Sequence, residues 1–148
     1  MTAADHWTSA VLLLRAATQL VDGVQAGLAE RGFPDVRPGH GFAFSRIGAG
    51  DATVLELADH LGVTKQAASQ LVEQLVHRGY VTRTVNPRDA RVRLLRLSSR
   101  GRDCTLAAEQ AAAETIAGWR YHLGDAAFEA LNAALTSVVA PGPLRPAW

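Results

Sequence analysis

Cysteine is nearly absent from this chain of 148 residues: Cys104 stands alone. One thiol cannot close an intrachain disulfide or make up a cysteine-rich zinc module. Long apolar runs are missing too. The longest spans about five residues, Ala10 to Leu14, against the roughly 20 needed to cross a bilayer, so no membrane partner is expected. The first residues carry neither a basic n-region nor an apolar h-region, so no secretory leader is expected and the cytoplasm is the expected location. There is no internal repeat, no glycine-rich phosphate loop, no nucleophile motif and no paired carboxylate site; an enzyme is not expected, nor a catalytic residue. The five histidines, 6, 40, 60, 77 and 122, show no metal-ligand spacing, so neither a metal nor another cofactor is expected. His60 and His77 are expected to face solvent or phosphate.

Acidic residues are scarce in one particular stretch. Between Thr64 and Arg102 there are nine basic residues and only two acids, Glu73 and Asp89, a local net charge of +7. The remainder carries −6, so the whole chain shows only +1. A concentrated cationic segment points to a polyanionic partner, because phosphate binding depends on the local field. Alone, such a stretch is more often a solvated face.

What is abundant is alanine, 27 residues of the chain, with 48% hydrophobic and 20% charged residues overall. That is the composition of one mainly helical globular domain. Trp7 to Arg31 has the spacing of a long amphipathic helix ending at Gly32 and Pro34. Asp35 to Gly39 is turn-rich. His40 to Ile47 is expected to form a short helix. Thr53 and Glu56 form a capping box. It opens a helix with Leu55, Leu57, Ala58 and Leu61 on the buried side, stopped at Gly62. Thr64 is the N-cap of a second helix that runs to Arg78 and buries Ala68, Leu71, Val72 and Leu75. The period then changes to alternation over Val81–Val85 and Val92–Leu97, with Asn86-Pro87-Arg88-Asp89 as turn chemistry between them. Ser98 or Ser99 caps a further helix to about Trp119. Gly124 or Asp125 starts a last one with the stripe Phe128, Leu131, Leu135, Val138 and Val139. The tail to Trp148 is expected to be loose.

Two helices joined by a tight glycine turn and followed by a hairpin make a winged helix-turn-helix. The fold class expected is mainly α (α+β). The second helix would present free amides and the positive end of its dipole at Thr64. Its first turns carry Lys65, Gln66, Ser69 and Gln70, residue types that read base edges in a major groove. The hairpin tip carries Arg88 and Arg91, suited to the potential of a minor groove. Asp89 is expected to hold Arg91 or Arg88 through charge-assisted hydrogen bonds.

These residues resemble the MarR-type transcription regulators. The resemblance rests on Leu57-Ala58-Asp59-His60-Leu61-Gly62-Val63-Thr64-Lys65-Gln66-Ala67-Ala68-Ser69-Gln70-Leu71-Val72 and on Arg78-Gly79-Tyr80-Val81. It rests also on the wing Asn86-Pro87-Arg88-Asp89-Ala90-Arg91, which carries an Asp-x-Arg signature, and on Leu97-Ser98-x-x-Gly101. The resemblance implies one domain over 1–148, a DNA-binding lobe at 37–98 and dimerisation helices at 5–32 and 99–140. It implies a homodimer that covers Leu12, Leu20, Leu131, Leu135 and Val138, and a pseudo-palindromic duplex DNA operator as partner. It implies base contacts from Lys65, Gln66, Ser69 and Gln70, and a minor-groove arginine at Arg91 with Arg88 as rival. The family usually represses transcription, and often releases DNA on binding a small aromatic or lipophilic effector. His40, Phe44 and Trp119 are the candidates for lining such a pocket, although core or dimer packing is the stronger explanation for Trp119 and Tyr121. The segment His40–Ser45 departs from the family's plainer helix. No cysteine stands near the N-terminus, where some members sense oxidants. Two rivals share the architecture: a winged helix that docks an acidic protein surface, and a ligand-binding dimer without specific DNA binding.

Overall fold

The computed structural model describes residues 2–145, so Trp148 and the expected looseness of its neighbourhood lie outside the described residues. The element order is α1 (Ala3–Glu30), α2 (Pro38–Gly48), α3 (Val54–Leu61), α4 (Lys65–His77), β1 (Val81–Asn86), β2 (Asp89–Leu97), α5 (Ser99–Leu123) and α6 (Asp125–Val138). The chain is mainly helical with one two-stranded antiparallel sheet. It gathers into two compact units. One comprises the residues up to Pro34 with Ala108–Ala140; the other is built on Asp35–Ala107.

The Asp35–Ala107 unit is a helix-turn-helix with a wing. At the start of α3, Glu56 N–H donates to Thr53 Oγ1 at 3.2 Å, and Thr53 N–H donates to the Glu56 carboxylate at 2.7 Å. This reciprocal cap satisfies two amides that a helix start leaves orphaned. Gly62, at φ 66°, ends α3 in the left-handed region. Two residues later Thr64 Oγ1 accepts the Ala67 N–H at 3.1 Å and opens α4. The short connection forces the two helices to cross, and Leu57, Ala58, Leu61, Ala68, Val72 and Leu75 are buried.

Two expectations about α3 are corrected. Leu55 is 56% exposed rather than buried. At about 100° per residue it lies off the face shared by Leu57, Ala58 and Leu61. His60 is 8% exposed, facing neither solvent nor phosphate. An eight-residue helix packed against α2, α4 and β2 is covered on more than one side. The His60 Nε2 is buried without a hydrogen-bond partner among the described residues. On α4, Leu71 is half-buried, at the edge of the stripe rather than within it.

The hairpin is longer than alternation alone indicates. Strand β2 begins at Asp89 rather than Val92, because Asn86 pairs with Asp89 across the two-residue turn Pro87-Arg88. The register slips between Val85, opposite Arg93, and Asn86, opposite Asp89, so extra residues bulge from β2 near the tip. Ala52 forms an isolated bridge to Leu95, whose N–H donates to the Ala52 carbonyl at 2.7 Å. The core of the unit holds Phe44, Ile47, Leu57, Val72, Leu75, Tyr80 and Leu95. The Phe44 and Tyr80 rings lie 5.5 Å apart, a tilted aromatic pair.

Ser98 is the cap of α5: its Oγ accepts the Gly101 N–H at 3.1 Å. Its own N–H donates to the Tyr80 carbonyl at 2.9 Å. Gly101 lies so close beneath that carbonyl that a Cβ there would collide with it. The helix continues through Gly118 to Leu123, one turn past the expected end near Trp119.

In the other unit, Gly23 and Gly27 of α1 lie against Thr115 and Ala111 of α5, where a Cβ on either glycine would clash. Arg31 and Glu114 pair at 2.5 Å. Phe128 is the buried anchor of α6, with the Arg120 guanidinium 5.4 Å from its ring centroid. Arg120 also pairs with Asp125 at 2.6 Å. Large apolar side chains remain exposed here, among them Trp7, Leu12, Leu13, Leu14 and Val138.

Candidate nucleic-acid interface

The first turns of α4 set out a polar surface. Thr64, Lys65, Gln66 and Gln70 are exposed and Ser69 is half-buried. Ala68 and Val72, on the opposite face, are buried. Burial of that stripe fixes the rotation of the helix, so the polar set can face only outward. The Thr64 cap leaves the positive end of the α4 dipole at the same surface.

The wing tip is held by its own side chains. Asn86 Oδ1 accepts the Arg88 N–H at 2.9 Å, and Pro87 fixes the backbone between them. Asp89 Oδ1 accepts the Arg91 N–H at 3.0 Å and the Arg91 Nε–H at 3.2 Å, while Asp89 Oδ2 accepts from Arg91 Nη2 at 3.5 Å. Of the two arginines left open by the sequence, Arg91 is the one that Asp89 grips. The Arg91 side chain nonetheless stays 92% exposed. Its hydrogen bonds, side chain first and then backbone, hold the Asp89 carboxyl below the usual carboxylate range. Arg93 donates to the Ala90 carbonyl at 2.8 Å, a tie that no sequence pattern announced. Arg88 is exposed at the turn.

A polar cluster lies behind the interface, and sequence reasoning missed it. Tyr80, fully buried, donates its hydroxyl to Asp35 at 2.8 Å. Arg100 Nη2 donates to the Tyr80 oxygen at 3.1 Å, and the guanidinium lies 4.7 Å from the ring centroid. Arg78, the C-cap of α4, donates to the Asp35 carbonyl at 3.1 Å. The Tyr80 hydrogen bond holds the Asp35 carboxyl low, and burial followed by Asp35 pushes the phenol up. Asp35 had the look of a turn residue; its partners are 43 and 45 positions away, so no local pattern exposed them.

The residues proposed for an effector pocket are placed differently. His40 is buried, and its Nδ1 accepts the Arg37 N–H at 3.0 Å. Burial, then the charge of Arg78, pushes its pKa down. Phe44 is buried against Tyr80. Trp119 is half-buried on the part of α5 that belongs to the other unit. Neither of two surface concavities is lined by these three. One, of about 380 Å³, is lined by Ala117, Arg120, Tyr121, Gly124 and Asp125. The other, of about 300 Å³, lies between Ile47, Asp51, Arg96 and Arg102. Among the residues expected at a dimer interface, Leu12 and Val138 are 58% and 78% exposed, and Leu20, Leu131 and Leu135 are half-buried. No helix among the described residues is long and apolar enough to cross a membrane.

Comparison with known proteins gives the architecture its relatives. No curated protein matches the sequence. The MarR family model matches residues 43–92, from mid-α2 to the wing. Among solved structures, RV1404 from Mycobacterium tuberculosis superposes with a TM-score of 0.74 at 23% identity, covering 97% of this chain and 99% of that one. Apo MarR from E. coli gives 0.72 at 20% identity, covering 88% and 96%. A MepR variant from S. aureus, solved bound to an oligodeoxyribonucleotide, gives 0.67 at 19% identity, covering 87% and 94%. Residues 43–92 thus match the MarR family model, and the winged-helix fold of these solved structures is shared along most of the chain's length.

Proposed function

We propose that this protein is a homodimeric transcription regulator that binds duplex DNA and acts as a repressor in the cytoplasm. The observation that carries the proposal is the grip of Asp89 on Arg91, which presents an ordered, almost fully exposed guanidinium beside the polar first turns of α4. In this reading Lys65, Gln66, Ser69 and Gln70 enter a major groove, and the amides at Thr64 meet a phosphate. Arg91 enters the adjacent minor groove and Arg88 meets its edge. The MepR variant solved with an oligodeoxyribonucleotide supports DNA as the partner.

Two copies would pair through Leu12, Leu20, Leu131, Leu135 and Val138. Burying such side chains against a partner is worth roughly 1.5–3 kcal/mol each. Two-fold symmetry would then set the reading helices about 34 Å apart, one turn of duplex, on a pseudo-palindrome. Release by a small aromatic or lipophilic effector completes the proposal. Any such effector would have to open the packed surroundings of His40 and Phe44 or use another site.

The test is a fluorescence anisotropy titration against the duplex upstream of the protein's own coding region, at several salt concentrations. A dimer neutralising about 6–10 phosphates gives a log–log salt slope near −5 to −9. A flat response would favour a winged helix that docks protein.

A further inference from the structure

The wing has a second cationic feature, at its base rather than its tip. A cleft of about 300 Å³ is lined by Ile47, Gly48, Gly50, Asp51, Arg96, Leu97 and Arg102. Its two cations come from different elements, Arg96 from β2 and Arg102 from the first turn of α5. Arg102 Nη1 donates to the Leu97 carbonyl at 2.9 Å, which anchors the guanidinium at the rim. The amino-terminal end of α5 adds its positive dipole to the same side. The one acid in the lining, Asp51, accepts from Arg96 Nη2 at 3.2 Å, and both side chains are more than half exposed. An exposed ion pair of this kind is weak and easily exchanged. Ile47 and Leu97 supply apolar wall.

We propose that this cleft binds an oxyanion, a carboxylate or phosphate carrying a small apolar group, and that Asp51 is a tethered occupant that the ligand displaces from Arg96. A guanidinium can take a planar carboxylate or two phosphate oxygens with both prongs of its fork, whereas Asp51 occupies it through one Nη2 hydrogen bond. Displacement has consequences in the chain. Asp51 precedes Ala52, whose carbonyl holds Leu95 of the wing, and Thr53, which caps α3. The Asp51 and Gly50 carbonyls also accept long hydrogen bonds from Arg46, at 3.5 and 3.4 Å. An incoming anion therefore acts at the point where the wing strand and the start of the helix-turn-helix are stapled together. The site does not depend on DNA being the partner, since the ligand meets the free protein.

The experiment uses the whole chain, labelled for amide NMR, titrated separately with sodium phosphate and sodium benzoate at constant ionic strength. Saturable shifts at the Gly48, Gly50 and Leu97 amides are expected, with Kd on the order of 1 mM. Asp51→Asn, which removes the internal competitor, should tighten binding about two- to fivefold, the span of an exposed ion pair. Arg102→Met and Arg96→Met should weaken it by at least as much. A second arm measures duplex affinity. If the natural occupant is a backbone phosphate, Arg102→Met lowers that affinity and free phosphate competes with DNA. If it is a free anion, Arg102→Met leaves duplex affinity unchanged while the amide shifts of the wild-type chain persist. Shifts that do not saturate, or an Asp51→Asn chain that binds no tighter than wild type, would overturn the proposal.

Discussion

Asp89 and Arg91 are joined twice over. One carboxylate oxygen accepts both the backbone N–H of Arg91, at 3.0 Å, and its Nε–H, at 3.2 Å. On the surface proposed to meet DNA, the task assigned to this acid is to aim the base. Asp89→Ala removes a negative charge, and electrostatics alone would strengthen binding. The loss of ordering should win instead. Fixing one long side chain on binding costs about 0.5–1.5 kcal/mol, or roughly 2- to 12-fold in affinity. Anisotropy titrations of the variant should show that weakening, and a gain in affinity would refute the aiming role.

Arg91 and the α4 glutamines should separate by kind of effect. Arg91→Ala removes a contact that responds to groove potential, so affinity should drop on every duplex, with a shallower salt slope. Gln66→Ala and Gln70→Ala should lose about 1–3 kcal/mol on the preferred duplex and much less on scrambled ones. Competition assays with base-substituted duplexes measure the ratio. Identical losses on all duplexes for both classes would show that the roles are misassigned.

His40 gives stability a pH window. In the fold its pKa is pushed below the ordinary value of 6.5, by burial first and by Arg78 second. The unfolded chain therefore binds a proton at His40 more readily than the folded one. Stability from this group is fully present above about pH 6.5 and is lost as pH falls through that value toward the folded pKa. The lowered carboxyls of Asp35, Glu56 and Asp89 lose their contribution further down, below the ordinary aspartate and glutamate values of 3.8 and 4.5. Thermal melts between pH 7.5 and about 5 should fall for the wild type. They should flatten in His40→Asn, which keeps an acceptor for the Arg37 N–H.

Cys104 should be inert while the protein is folded. The side chain is 1% exposed, and burial pushes its thiol up to about 11. Reaction with a chromogenic disulfide reagent at neutral pH should be slow in the native protein and fast in denaturant. A rapid native reaction would instead mean that the start of α5 opens readily.

The helix-turn-helix was legible in the sequence because its signals are local. The Thr53–Glu56 box, Gly62 and the Thr64 cap each act within four residues, and the structure uses all of them as expected. The wing arginines and their acid were equally visible. What stayed hidden was long-range. Asp35 meets Tyr80 and Arg78 across the lobe, and no spacing rule links such positions. His60 misled for a related reason: its place on the helix is polar by periodicity, but α3 is packed against α2, α4 and β2 and the side chain is buried. Leu55 misled the other way, since hydrophobicity says nothing of rotation about the helix axis. The exposed leucines of α1 belong to the face for which a second copy is proposed as cover, and a single chain leaves them open.

The missing side chain at Gly101 has a mechanical meaning. Tyr80 is pinned from three directions: its N–H by the Leu75 carbonyl, its own carbonyl by the Ser98 N–H, and its underside by the Gly101 backbone. With no slack at that contact, a displacement of the first turn of α5 must be carried into Tyr80, and from there into the strand that leads to the wing. The seam closes on the Tyr80 backbone carbonyl, and any side chain added at Gly101 would have to prise the first turn of α5 away from it.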